Sequence, residues 1–138
     1  MPILLACVRR YRAPVRSVRL IGYWLGDRDE GWPDAQDFVD DKWDAVERSR
    51  VAEYLRSGAV AHPDHASAGY SRCRFCGEKN GTKEFTDGSY LWPEGLSHYV
   101  QEHNVRLPTE FVDHALSQRE VLIRAETDVD WWRSQKHA

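Results

Sequence analysis

Cys73 and Cys76 have two residues between them, and His98 and His103, with four between, follow after a gap of 21 residues. This C-x2-C…H-x4-H array constrains what the middle of the chain can fold into. Two thiolates and two imidazoles complete a tetrahedral shell for Zn²⁺, a borderline-soft ion that accepts both donors. Gly77, directly after the cysteine pair, tolerates the φ > 0 turn that a tight knuckle requires. On an ideal helix, residues five apart are rotated by about 140°, so the two imidazoles converge only where the turn loosens. Four protein ligands imply a closed structural site, because a catalytic zinc keeps one position open.

The same residues admit two other readings. A C-x-x-C pair serves as a redox dithiol in some proteins, usually at a helix start within a thioredoxin-like βαβ unit, and no such unit is evident. Alternatively, the thiols are inert and the histidines are surface residues. His62 and His65 are the nearest spare ligands should His103 not bind.

A chain of 138 residues suits one domain with a real core. Mean hydropathy of −0.67 argues against a membrane protein, and no apolar run approaches the roughly 20 residues that span a bilayer. The opening MPILLACV is too short for a signal-peptide core, and its arginines follow instead of preceding it. With two of three cysteines committed to metal and Cys7 left alone in an apolar segment, a reducing cytoplasm is expected.

The net charge of −3 is unevenly distributed. Arg9, Arg10, Arg12, Arg16 and Arg19 precede residue 20 with no acid among them, whereas 27–47 carry nine acids against Arg28 and Lys42. Either the two stretches neutralise each other or are solvated, or the arginines contact an anion such as nucleic acid.

Strands are expected at 2–8, 15–21, 82–86 and 89–92, with 82–86 between the Asn80-Gly81 and Asp87-Gly88 turn signals and 89–92 after them as its partner. Residues 22–40 read as a loop pinned by Tyr23, Trp24, Trp32 and Phe38. Trp43, Val46, Val51, Tyr54 and Leu55 recur with helical period over 41–57, with Gly58 placed to end the helix. Residues 59–70 read as a flexible connection. A helix carrying His98, Tyr99 and His103 follows Trp92-Pro93-Glu94-Gly95. Pro108 opens another, buried through Phe111, Val112, Ala115 and Leu116. Residues 120–125 fit either a strand or more helix, and Thr127 with Asp130 resembles a capping box before Trp131 and Trp132. The fold class expected is α+β: one small domain whose residues 71–107 form a zinc-ribbon or treble-clef-like knuckle, hairpin and helix.

The stretch CRFCG, then NG, then TDGSYLWPEGLSHYVQEHNVRLPTEFV, resembles a family of small uncharacterised bacterial proteins. With GWPDAQDFVDDKWDAVERSRVAEYLRSG upstream, the likeness covers roughly residues 20–116. It implies Cys73, Cys76, His98 and His103 as metal ligands and carries no activity with it.

Three functions compete. A cytoplasmic zinc-stabilised binding or adaptor protein would meet a protein partner through the acidic 27–47 stretch with Trp24 and Trp32. A small enzyme would use Glu94 as general base, with Asp87 nearby and Tyr90 or Trp92 as a substrate platform. Against it, Asp87 suits a turn, Glu94 suits a helix N-terminus, and no known catalytic signature is present. The third function is nucleic-acid binding through the N-terminal arginines.

Overall fold

A computed structural model describes residues 16–26, 31–62 and 71–136. Four short strands, β1 (Arg19–Leu20), β2 (Ala59–Ala61), β3 (Glu84–Thr86) and β4 (Tyr90–Pro93), form a mixed sheet in the order β1-β4-β3-β2. The helices are α1 (Ala45–Arg56), α2 (Leu96–His103), α3 (Thr109–Ile123) and α4 (Val129–Arg133). Together these make a small single-domain α+β fold.

The centre of the sheet is the β3–β4 hairpin, in the register Glu84↔Pro93, Phe85↔Trp92 and Thr86↔Leu91. Its turn carries Gly88 at φ 90°, where a side chain would be strained. Tyr90, Leu91 and Trp92 are all buried, so β4 lacks the in–out alternation of a half-exposed strand. α1 packs against both α2 and α3. Trp92 is fully buried, and its indole N–H donates to the carbonyl of Leu55 (3.0 Å), joining the sheet to α1.

The expected strand at 15–21 shrinks to two residues, because Arg19 and Leu20 are paired with β4 on one side only and both side chains are exposed. Residues 59–61, expected to be flexible, instead form the opposite edge strand against β3. The expected strand at 2–8 lies outside the described residues, as do Cys7 and His65.

α1 starts on Asp44, whose carboxylate accepts from the N–H of Glu47 (2.9 Å), and Trp43 lies buried just ahead of it. Val51, Tyr54 and Leu55 are buried as the period predicts, whereas Val46, expected with them, is 57% exposed. Gly58 follows the helix end, but its requirement is space: a Cβ would sit 2.8 Å from Trp92 and 3.0 Å from Phe85. The ambiguous 120–125 segment is largely helix, since α3 runs on to Ile123. Pro108 lies one residue before α3 in extended conformation instead of inside its first turn. α4 is capped by Asp128, which accepts from Trp131 N–H (3.0 Å), and Thr127 does not fill that role.

The 22–40 loop is held as expected by aromatic contacts, Tyr23 with Trp32 and Trp24 with Phe38. A 3-10 turn over Ala35–Phe38 then leads to a strap in which Arg106 N–H donates to Phe38 (2.8 Å) and Asp40 N–H to Asn104 (3.0 Å). This strap fixes the segment that follows α2. No described helix is long and apolar enough to cross a membrane.

Candidate metal centre

Residues 71–81 fold back on themselves through an isolated bridge between Arg72 and Lys79. Cys73 N–H donates to Glu78 (2.9 Å), Gly77 N–H returns to the Cys73 carbonyl (2.9 Å), and Phe75 N–H points at the Cys73 sulfur (3.4 Å). Gly77 has φ 71°, the left-handed conformation expected after the cysteine pair. The sulfurs therefore project from a turn whose own backbone is satisfied.

This turn is joined to α2 at two points. The Tyr99 hydroxyl accepts from Arg74 N–H (2.9 Å), and its ring meets those of Phe75 and Trp24. Asn80 Nδ2 donates to the Gly95 carbonyl (3.1 Å) at the head of the helix. The approach there is so close that a Cβ on Gly95 would lie 2.3 Å from the Asn80 backbone oxygen. Gly95 has an ordinary negative φ, so contact and not backbone strain demands the glycine.

α2 loosens at its end. Asn104 adopts the left-handed region (φ 55°), and its N–H reaches back to Tyr99, as does that of Val105 (3.2 Å). These bonds span five and six residues, wider than the α-helical four. His98 and His103, rotated apart on an ideal helix, thereby converge, with their Nε2 atoms 3.2 Å apart. Cys76 Sγ lies 3.3 Å from His98 Nε2. One donor atom from each of Cys73, Cys76, His98 and His103 falls within 4.8 Å of all the others. The four residues named by the spacing are thus brought together, close enough to hold a metal ion.

Cys73 is buried, Cys76 exposed, and the two histidines half-buried. Burial pushes the Cys73 thiol up from its usual range. Burial, then the neighbouring His98, lowers His103 and favours the neutral imidazole that a metal ligand needs. The His103 ring stacks on Phe75 at 4.9 Å, which fixes its plane.

The Asp87–Glu94 segment is not gathered into one place. Its two carboxylates lie at opposite ends of β4. Glu94 accepts from the N–H groups of Thr82 (2.8 Å) and Lys83 (3.1 Å), holding the entry to β3, and not from the start of α2. Tyr90 and Trp92 are core residues. Asp87 does have the turn role expected, since Oδ1 accepts from Ser89 N–H (2.9 Å) and Tyr90 N–H (2.8 Å).

Asp87 also collects two partners that its sequence neighbourhood does not announce. Tyr54 O–H donates to Oδ2 (2.5 Å), and His114 Nε2 lies 2.7 Å from the same oxygen. Burial alone would raise the Asp87 pKa, but hydrogen bonds from Tyr54, Tyr90, Ser89 and His114 outweigh it and leave it below its usual range. Burial first, then Asp87, raises Tyr54. No local motif links positions 54, 87 and 114; only the packing of α1 and α3 over the hairpin does.

The described residues of the charged stretches serve as helix caps and pair with residues beyond both stretches. Asp34 and Asp44 cap helical turns, Asp40 pairs with Arg106 (2.9 Å) and Asp41 accepts from Asn104 (3.0 Å). Arg19 pairs with Glu110. Arg9, Arg10 and Arg12, and Asp27, Asp29 and Glu30, lie outside the described residues. An apolar pocket is lined by Ile21, Tyr23, Trp24, Trp32, Phe38 and Leu107 among others. Searches of protein-family models, of curated proteins and of solved structures each returned no match to this chain.

Proposed function

We propose that Cys73, Cys76, His98 and His103 hold one zinc ion that shapes residues 71–107, and that the protein is a zinc-stabilised binding or adaptor protein of the cytoplasm. The observation that carries the metal reading is the convergence of all four donor atoms within 4.8 Å. The donor set fits the ion: bonds of about 2.05 Å to nitrogen and about 2.3 Å to sulfur put tetrahedral N···N and S···N edges at about 3.3 and 3.5 Å. The observed 3.2 and 3.3 Å lie near those values. A knuckle, a hairpin and a helix bearing the last two ligands make a zinc-ribbon or treble-clef-like module. Four protein donors leave no coordination position for substrate, which favours a structural role for the ion and a binding role for the chain. The pocket holding Trp24 and Trp32 supplies an aromatic surface of the kind that protein partners use. Kinship with the small bacterial family of the CRxCG…TDGxYxWPEGLxHYV pattern belongs to the same proposal.

The test is elemental analysis of the purified chain together with affinity capture. One equivalent of zinc per chain is expected, lost in Cys73→Ser, and the zinc-loaded chain retains a protein partner that the chelated chain releases. Purified protein free of bound metal overturns the metal reading.

A second reading is favoured by the Asp87–His114 pair. A half-buried carboxylate holding an imidazole is a common general-base arrangement, so the enzyme alternative rests on these residues more than on Glu94. Turnover abolished by His114→Gln in an otherwise folded, metal-loaded chain would select it.

A further inference from the structure

From Ser117 to Lys136 every residue except Arg119 is exposed, so the end of α3 and all of α4 extend away from the core as an arm. Eleven large apolar side chains are exposed among the described residues, and six of them fall between 121 and 132. They are Val121, Leu122, Ile123, Val129, Trp131 and Trp132, with the two tryptophans 61% and 72% exposed. The other five are scattered along the chain. Isolated exposed apolar residues need no explanation, but a cluster of this size does.

We infer that this arm is a self-association surface on which two copies of the chain pair about a twofold axis. The area suits that occupant. At about 150–250 Å² for each tryptophan, and somewhat less for each aliphatic, the six leave roughly 600–700 Å² uncovered. Two copies together reach the roughly 1,200 Å² at which stable interfaces begin.

The charge suits it as well. The arm carries Glu120, Glu126, Asp128 and Asp130 against Arg119, Arg124, Arg133 and Lys136. Some of these already pair within one copy, Arg124 with Glu120 at 2.7 Å and Arg133 with Asp130 at 3.8 Å. A balanced surface does not repel its own copy, and it lacks the single sign that a nucleic acid or an anionic membrane selects.

The arm also adjoins a socket. A groove between α1 and α3 is lined by Glu53, Tyr54, Ser57, Arg119, Leu122 and Ile123. Arg119 Nε, buried, has no acceptor among the described residues. An indole from the second copy covers the apolar side of this groove and stacks on the guanidinium, whose Nη2 lies 3.6 Å from Glu53. This names one partner for the binding role proposed above, and it does not depend on the metal.

Sedimentation equilibrium on the full chain tests it, with zinc content measured on the same samples. The wild type is expected at twice its 16.0 kDa mass. Trp131→Glu with Trp132→Glu, and separately Leu122→Glu in the socket, should weaken pairing at least about 30-fold, the loss typical of a hot spot. All three side chains are exposed, so both variants should keep the wild-type melting curve of the isolated chain. A single-chain mass for the wild type at about 100 µM overturns the inference. So does a dimer that both variants leave intact. Neither result touches the zinc assignment, which the metal content reads independently.

Discussion

The β3–β4 hairpin is anchored at each end by a polar cluster, and the two clusters differ in what they need from outside the chain. At the turn end, Asp87 takes hydrogen bonds from Ser89, Tyr90 and Tyr54 and pairs with His114, under the rings of Tyr90 and Phe111. Both oxygens of the Asp87 carboxylate are thus answered by the protein itself. At the far end, two sulfurs and two ring nitrogens face one another, with 3.2 Å between the imidazoles and 3.3 Å between Cys76 and His98. Two thiols and two imidazoles gain little from such contacts, and an ion held there would convert their crowding into cohesion. One end is complete as translated, and the other would be completed by an ion.

Four changes probe this contrast, in order of expected effect. Cys73→Ser should act most strongly, removing the metal and about 4 kcal/mol of stability when free zinc stands a thousandfold above its Kd. Chelation of the wild type should reproduce that loss, and a melt unchanged by either would erase the distinction between the ends. Asp87→Asn keeps shape but weakens the charge-assisted bonds from Tyr54 and His114. Because the group is only partly buried, about 1–2 kcal/mol is expected, with zinc content unchanged.

Acid should separate the ends further. The folded pKa of Asp87 lies below its unfolded value, so the unfolded state binds more protons in that interval. Its contribution is present above about pH 4 and disappears as the pH falls through the folded value. The acid limb of an unfolding-versus-pH curve should therefore flatten in Asp87→Asn; an identical limb would remove Asp87 from the account. Glu94→Gln should cost least, about 1 kcal/mol, because a neutral amide oxygen still accepts from Thr82 and Lys83. Denaturant midpoints are sufficient to detect it.

Legibility in the sequence followed the range of each interaction. The candidate donors were readable because the spacing of the cysteines and a glycine after them, found at φ 71°, are local requirements. The need for a loosened helix end was readable too, from the rotation between positions 98 and 103 alone. α1 was readable from its period, though Val46 was not placed correctly, because a stripe drawn on one helix does not show how wide the covering surface is. β1 and β2 were poorly readable because two- and three-residue edge strands are fixed by the neighbour they pair with and not by their own composition. The Asp87–Tyr54–His114 cluster was invisible for the same reason: its members are 33 and 27 residues apart, and only α1 and α3 bring them together.

The contact between Gly95 and Asn80 carries a consequence for which ion the proposed site would choose. Because bare backbone at the helix head is pressed against the loop bearing the thiols, the two pairs of donors are held in register by steric contact before anything is captured. A seat shaped in advance discriminates: ions preferring square-planar or octahedral surroundings would have to pry the loop from the helix. Enlarging residue 95 should therefore broaden the range of metals accepted even as it lowers the affinity for each.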